Sequence, residues 1–548
     1  MTAPDATTEH TAPSRFAGWH ASVTTTPRRA FWFSFVAFFA VAAIWALSNP
    51  LMASVDEPAH VVKAAATVRA AEDQSEDGAA TGIGIVELSQ LYVQLNGYPG
   101  CFAFQPNTTA ACQPDLEGDV DAPALTTTSA MNYNPLYYVV VGLPSLLPGG
   151  EHTVYLMRLI TAAISALVLA LSVRTVAELG ARRWLGLAVL LTITPTFVSL
   201  VAAVNPQSIE ITGAVLLWVS LLALLRYPDE ALTSRRLTRL VIATVLVANA
   251  RGLGPLWVVI ILGLCLLSVP WARTRAVMAH RGAWLAVGLC VAACAAATAW
   301  ILTADALPEG SGTQGLTLAG MLFYTLGRTS LYIEQLFLAF GWLDVYGPGW
   351  TIYLLVAAVG ALILAGWAAG KGRDRLVLAL AATITILSPV VLQTMQANKI
   401  GYFWQGRYVF PVAIGVLILA GAAMARRENV IPAWFSLNLV TTIAYLVGIV
   451  QVVAFYVNLH RYSVGFDGGW VLQEPLSWTG VPPVVLTLAY ALAWWAVVFT
   501  VLRATNAPVD GPVVVTPGHE GSPGHDGGAA PKNGASGGAP TEEDSSIS

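Results

Sequence analysis

Apolar runs of about 20 residues recur from Phe31 to Leu502, and this recurrence constrains the fold more than any other feature of the chain. A run of that length crosses the ~30 Å hydrocarbon core of a bilayer as a helix, because only a helix satisfies its own backbone polar groups within the segment. Of the 548 residues, 56% are hydrophobic and only 11% are charged, far below the roughly 25% charge of a soluble domain. The chain therefore reads as an all-α polytopic membrane protein. Candidate spans are 31–49, 134–148, 155–178, 184–204, 206–226, 238–250, 253–269, 284–303, 350–369, 375–395, 407–425, 432–457 and 482–502. They form a bundle of about 12–13 transmembrane or re-entrant helices.

Arginines gather in alternate connections, at Arg28 and Arg29, Arg182 and Arg183, Arg235 and Arg236, Arg273 and Arg275, Arg373 and Arg375, and Arg426 and Arg427. The positive-inside rule places these in the cytoplasm. The opposite loops, above all a first extracytoplasmic loop over 50–132, then face outward. A full crossing by 134–148 would invert every later loop. That piece is short and ends in Leu143-Pro144 and Pro148, so a re-entrant or broken helix fits it better. The C-terminus then falls on the cytoplasmic side.

Residues 1–28 are expected to be a disordered cytoplasmic N-terminus, residues 29–503 the membrane domain, and the Gly, Pro and Ser-rich 504–548 a disordered tail. The Phe31–Leu47 run lacks a clear small-residue cleavage site and reads as a retained first helix. Tryptophans and tyrosines cluster at the ends of apolar runs, as interfacial anchors do, and nothing points to nucleic acid. Cys101 and Cys112 share the first outer loop, where a disulfide is expected. Cys265, Cys290 and Cys294 lie in apolar runs and read as core.

The stretch Val55-Asp56-Glu57-Pro58-Ala59-His60 puts an acidic pair and a histidine just beyond the first apolar run. Pro58 suits the first turn of a helix, and the Ala-rich sequence that follows, with Lys63 and Arg69, suits a helix lying along the interface. One reading makes Asp56 a helix N-cap and Glu57 a favourable charge at the dipole. The other makes them carboxylates presented to a lipid-borne substrate at the outer mouth of the bundle.

Three further clusters fall on that face. Asn132-Tyr133-Asn134-Pro135-Leu136-Tyr137 reads as caps and anchors or as substrate contacts, with Asn134 and Tyr137 the candidates. Asp344 lies among Trp342, Tyr346 and Trp350, either as a turn cap or as a second carboxylate. Lys399, Arg407 and Tyr408 stand just outside an apolar run, where cations snorkel or bind a phosphate head. Arg251 reads as part of a short outer turn.

Taken in order, VDEPAH, NPLYY, VNPQ, GWLD and QGRYVFP resemble a bacterial family of predicted membrane proteins known as a domain of unknown function, over roughly 31–503. That family in turn looks like the GT-C glycosyltransferases, multi-span enzymes that use polyprenyl-phosphate sugars. The resemblance implies a GT-C-like fold in a bacterial cytoplasmic membrane, with a lipid-linked sugar donor and an envelope glycan or glycolipid acceptor. It implies Asp56 as the catalytic carboxylate with Glu57 beside it, and His60, Lys399, Arg407 and Tyr408 at the donor phosphate. VNPQ departs from the more usual Asn-Pro-Asp, so Gln207 puts an acid there in doubt. No Walker, Rossmann or zinc motif is present, whereas Mg²⁺ or Mn²⁺ between carboxylates and phosphate stays open. A carrier or flippase for a lipid-linked saccharide, or a non-catalytic envelope assembly protein, are the competing readings.

Overall fold

The computed structural model describes residues 26–75, 82–180, 182–304 and 317–506. Nearly all of both expected tails lies outside these residues. At their edges the chain is already helical, from Pro27 and up to Asn506.

Among the described residues, nine helices are long and apolar enough to cross a membrane, and up to eleven if each of two bent pairs counts as one span. The first bent pair, Arg183–Thr192 with Pro195–Val201, turns by 66° at a break before a proline, whose missing N–H and ring cannot continue the first helix. Glu230–Ala250 has similar length, with its arginines confined to its first half. Among the described residues, strands are confined to two short antiparallel pairs. Gly84–Ser89 pairs with Pro123–Thr128, Gly84 opposite Thr128, and Ala339–Phe340 pairs with Val345–Tyr346.

The candidate piece at 134–148 does not cross, in line with the re-entrant or broken helix expected there. It folds as a six-residue helix, Leu136–Val141, followed by a 3₁₀ turn, Leu143–Leu146, and packs on the helix Glu57–Arg69. Gly142 makes the contact: a Cβ there would come within 2.2 Å of the Ala64 carbonyl oxygen. With no crossing at this point, the alternation of loops is restored.

The arginine-rich ends meet in space. Arg183 pairs with Glu428 at 2.7 Å, Arg239 with Glu178 at 2.6 Å, and Asp374 with both Arg226 and Arg426. The Arg182 amide donates to the carbonyl of Thr505, so the end of the last helix joins this face. In the interior, helices approach closely at small residues, as membrane bundles do. A Cβ on Gly415 would overlap the Trp218 ring, whose Nε1 donates to the Pro411 carbonyl at 2.8 Å.

At the other end lies the lobe formed within residues 50–132. A disulfide joins Cys101 and Cys112, with Cα atoms 5.9 Å apart. Buried Arg461 holds this loop down by donating to the carbonyls of Thr108, Phe102 and Gln105 at 2.7–2.9 Å.

Candidate functional site

Asp56 precedes the helix Glu57–Arg69 in a left-handed conformation, φ 62°, which few residues without a glycine's freedom adopt. Its carbonyl accepts from the His60 amide and so starts the helix, but its carboxylate caps nothing. The carboxylate instead pairs with Arg407, Nη2 to Oδ2 at 2.5 Å, and keeps 40% of the side chain exposed. Burial of this corner would raise the Asp56 carboxyl, but the Arg407 guanidinium outweighs it and holds the group below the usual carboxylate range.

Glu57 points elsewhere. Its carboxylate is fully buried, accepts from Arg158 Nε and Nη2 at 2.8 and 2.6 Å, and accepts from the Val204 amide at 3.1 Å. Arg158 also donates to the carbonyls of Ala46, Asn49 and Pro50, so this pair clamps the end of the first helix to the start of the next. The two neighbouring acids thus belong to different environments.

Arg407 has no exposed surface, and its donors reach Gln405 Oε1, Gln207 Oε1 and Asp56. Gln207 links it to a second cation, since Arg251 Nη1 donates to the same Oε1 at 3.2 Å. Arg251 also donates to the Tyr133 hydroxyl at 3.4 Å and lies 4.4 Å from the Tyr408 ring centre. Among the described residues Arg251 forms no ion pair with a carboxylate. Asp56, Arg407, Gln207 and Arg251 therefore form one polar cluster drawn from four distant parts of the sequence.

Against this cluster opens a cavity of about 360 Å³, within the size range of small-molecule sites. Arg251, Tyr133, Tyr408 and Glu210 line it, and Trp257 and Trp404 add aromatic wall. Asp56, His60 and Arg407 do not line it; they stand one layer behind Tyr133, Arg251 and Tyr408.

The remaining sequence candidates are placed as follows. His60 shares a 2.8 Å hydrogen bond with the Tyr138 hydroxyl, and burial pushes its imidazole down to about 3, the two arginines adding to this and Asp56 opposing it. It is neutral at ordinary pH and supplies no cation. Asn134 lines the cavity, donating to Asn249 Oδ1 at 3.0 Å. Tyr137 is buried behind it, bonded to Thr161 at 2.7 Å. Asp344 caps its own turn and accepts from the Phe104 amide at 2.9 Å, tying the disulfide loop to the hairpin. Lys399 closes the helix Gly372–Ile400, and its side chain lies outside the described residues.

Arg251 and Glu210 are the site residues that sequence reading missed. Glu210 follows the Asn205-Pro206 helix start by one turn and Gln207 by three residues, a spacing that puts both side chains on one helix face. That i, i+3 relation was the available signal. For the divalent cation left open above, no three His, Cys, Asp or Glu side chains among the described residues gather closely enough to hold it.

No curated protein matches the chain. Among solved structures, that of ArnT from Cupriavidus metallidurans in the apo state is similar at a TM-score of 0.37 and 15% identity, covering 86% of this chain and 77% of that one. The structure of ArnT from the same organism bound to undecaprenyl phosphate gives the same TM-score and identity, with 86% and 76% covered. The family model described as predicted membrane protein, DUF2142, matches residues 38–416, more than half of the chain, and the protein belongs to that family.

Proposed function

We propose that this multi-pass membrane protein transfers a sugar from a polyprenyl-phosphate donor to a cell-envelope glycan or glycolipid at the outer face of a bacterial cytoplasmic membrane. One observation carries the reading: an arginine without a carboxylate partner, Arg251, lines a cavity and shares Gln207 with the Arg407 that holds Asp56 ionised. A guanidinium fork without a carboxylate partner is the preferred partner of a phosphate, and the partly exposed Asp56 carboxylate one layer behind it is the general base.

In this mechanism the donor phosphate sits against Arg251. An acceptor hydroxyl attacks the anomeric carbon of the sugar from the opposite side and passes its proton to Asp56. The bond from that carbon to the phosphate oxygen breaks, the electron pair leaves with the polyprenyl phosphate, and the configuration inverts. Arg251 meets the charge gained by the leaving group, and Arg407 orients Asp56. Glu57 and Arg158 keep the backbone at Asp56 in its left-handed turn. The carrier reading has less support, because the other buried ion pairs lie at the arginine-rich face and no chain of charges runs between the two faces among the described residues.

The test is envelope glycan analysis of a deletion strain complemented with wild-type protein or with Asp56→Asn, at equal membrane levels. Loss of a positioned base costs about 10²–10⁴-fold, so wild type restores the glycan and the Asn variant does not. Transfer by the purified protein from a polyprenyl-phosphate sugar then separates an enzyme from a carrier. Full restoration by the Asn variant rejects Asp56 as the base.

A further inference from the structure

Glu210 is 2% exposed, lines the cavity, and makes no hydrogen bond or ion pair through its carboxylate among the described residues. The other deeply buried acids behave differently: Glu57, Glu178 and Asp374 are each paired with an arginine. A buried carboxylate without partners is costly, and a protein keeps one where something else supplies the donors.

A second, independent gap lies on the same cavity. Trp404 lines it at 5% exposure, and its buried Nε1 has no acceptor among the described residues. Its own amide is satisfied by Gln393 at 2.7 Å, so only the ring donor is left over. The cavity is thus lined by an unmatched acceptor, Glu210, and has an unmatched donor, Trp404 Nε1, buried in its wall. The Trp257 ring, 1% exposed, adds an apolar surface, and Arg251 a cation.

A ligand that completes this set must offer hydrogen-bond donors to Glu210 and an acceptor to Trp404, and an apolar ring face to the aromatic wall. A sugar ring does all three, since each hydroxyl both donates and accepts while its C–H face is apolar. We infer, resting on the reading above, that Glu210 and Trp404 bind the hydroxyls of the donor's sugar while Arg251 binds its phosphate, so that these two residues set which sugar is accepted. The sugar and phosphate ends of the donor are then read by separate residues.

The experiment compares binding of undecaprenyl phosphate with binding of its mannosyl, glucosyl and arabinosyl esters to the purified full chain in nanodiscs. Wild type binds at least one ester about tenfold tighter than the bare phosphate, as expected for one or two added hydrogen bonds. Glu210→Gln abolishes that preference and leaves affinity for the bare phosphate unchanged, because the carboxyl group faces the sugar and not the phosphate in this arrangement. Trp404→Phe, which keeps an aromatic ring and removes Nε1, weakens the same preference. Retained affinity for the bare phosphate shows that both variants are folded. The inference is overturned if the variants keep the sugar preference, if wild type has none, or if Glu210→Gln weakens both ligands in parallel. Failure of wild type to bind any of the four lipids instead overturns the lipid-phosphate reading itself.

Discussion

Arg407 reaches three oxygen acceptors from Nε and two terminal nitrogens, a fork that a lysine ammonium at the end of a flexible stem does not reproduce. Arg407→Lys should therefore lower transfer activity by about a hundredfold, as loss of one pre-positioned donor does. Arg251→Lys keeps a point charge against the phosphate and should fall less, and comparing the two variants in one transfer assay checks the assignment of roles. His60 makes a pH prediction. Its folded pKa is pushed down to about 3 from 6.5, chiefly by burial, so between those values the unfolded chain binds more protons than the folded one. Its contribution is complete above about pH 6.5 and is lost as the pH falls toward 3, by up to about 1.4 kcal/mol per unit. Thermal unfolding in detergent from pH 7.5 to 4.5 should show a falling midpoint in wild type and a flatter profile in His60→Asn. The sequence made Asp56, Arg407 and Tyr408 legible as members of polar clusters beside apolar runs. It did not separate Asp56 from Glu57, because consecutive residues at a helix start point about 100° apart and the partner of Glu57 is Arg158, 101 residues away. Glu210 was hidden inside an apolar run, where only its spacing from Gln207 marked it.

The first helix and the interfacial helix Glu57–Arg69 meet at the Arg158 clamp, which joins three carbonyls and one carboxylate in a fully buried position. Breaking a buried pair by removing one partner leaves an uncompensated charge and costs about 3–5 kcal/mol. Arg158→Met should thus lower the unfolding midpoint strongly, and Glu57→Gln likewise. The double variant, Arg158→Met with Glu57→Met, should recover part of the loss, because an apolar pair leaves no charge stranded. A double variant as unstable as the sum of the singles would mean that the three carbonyls, and not the carboxylate, are what Arg158 serves. Element boundaries were mostly readable from the length of apolar runs. The segment 134–148 was legible only as a short proline-ended piece, because Tyr137, Tyr138 and Val141 pack inward while Leu136, Val139, Val140, Leu143, Leu146 and Leu147 stay exposed, and hydropathy counts both sets alike. The prolines at 144 and 148 were the correct warning.

The whole bundle is organised by charge at its two ends. One end carries the arginine clusters, joined by Asp374, Glu178 and Glu428, and the other carries the disulfide loop, the Asp56 cluster and the cavity. Positive-inside asymmetry assigns the first end to the cytoplasm, and the disulfide fits the second to an oxidising space. This assignment underlies the proposed function, since an envelope acceptor and a flipped lipid donor are both found outside. Ser234 is exposed among the arginines of the helix Glu230–Ala250, and Ser477 is exposed between the last two long helices, at the opposite end. In intact cells a membrane-impermeant maleimide should label Ser477→Cys and spare Ser234→Cys, and permeabilisation should expose the latter. The free cysteines Cys265, Cys290 and Cys294 lie within helices, so a chain without added cysteines supplies the background. The reverse pattern would place Asp56 and the cavity in the cytoplasm, where a nucleotide-activated sugar is available and a lipid-linked donor is not required. The site geometry would stand, but its phosphate would belong to a soluble donor.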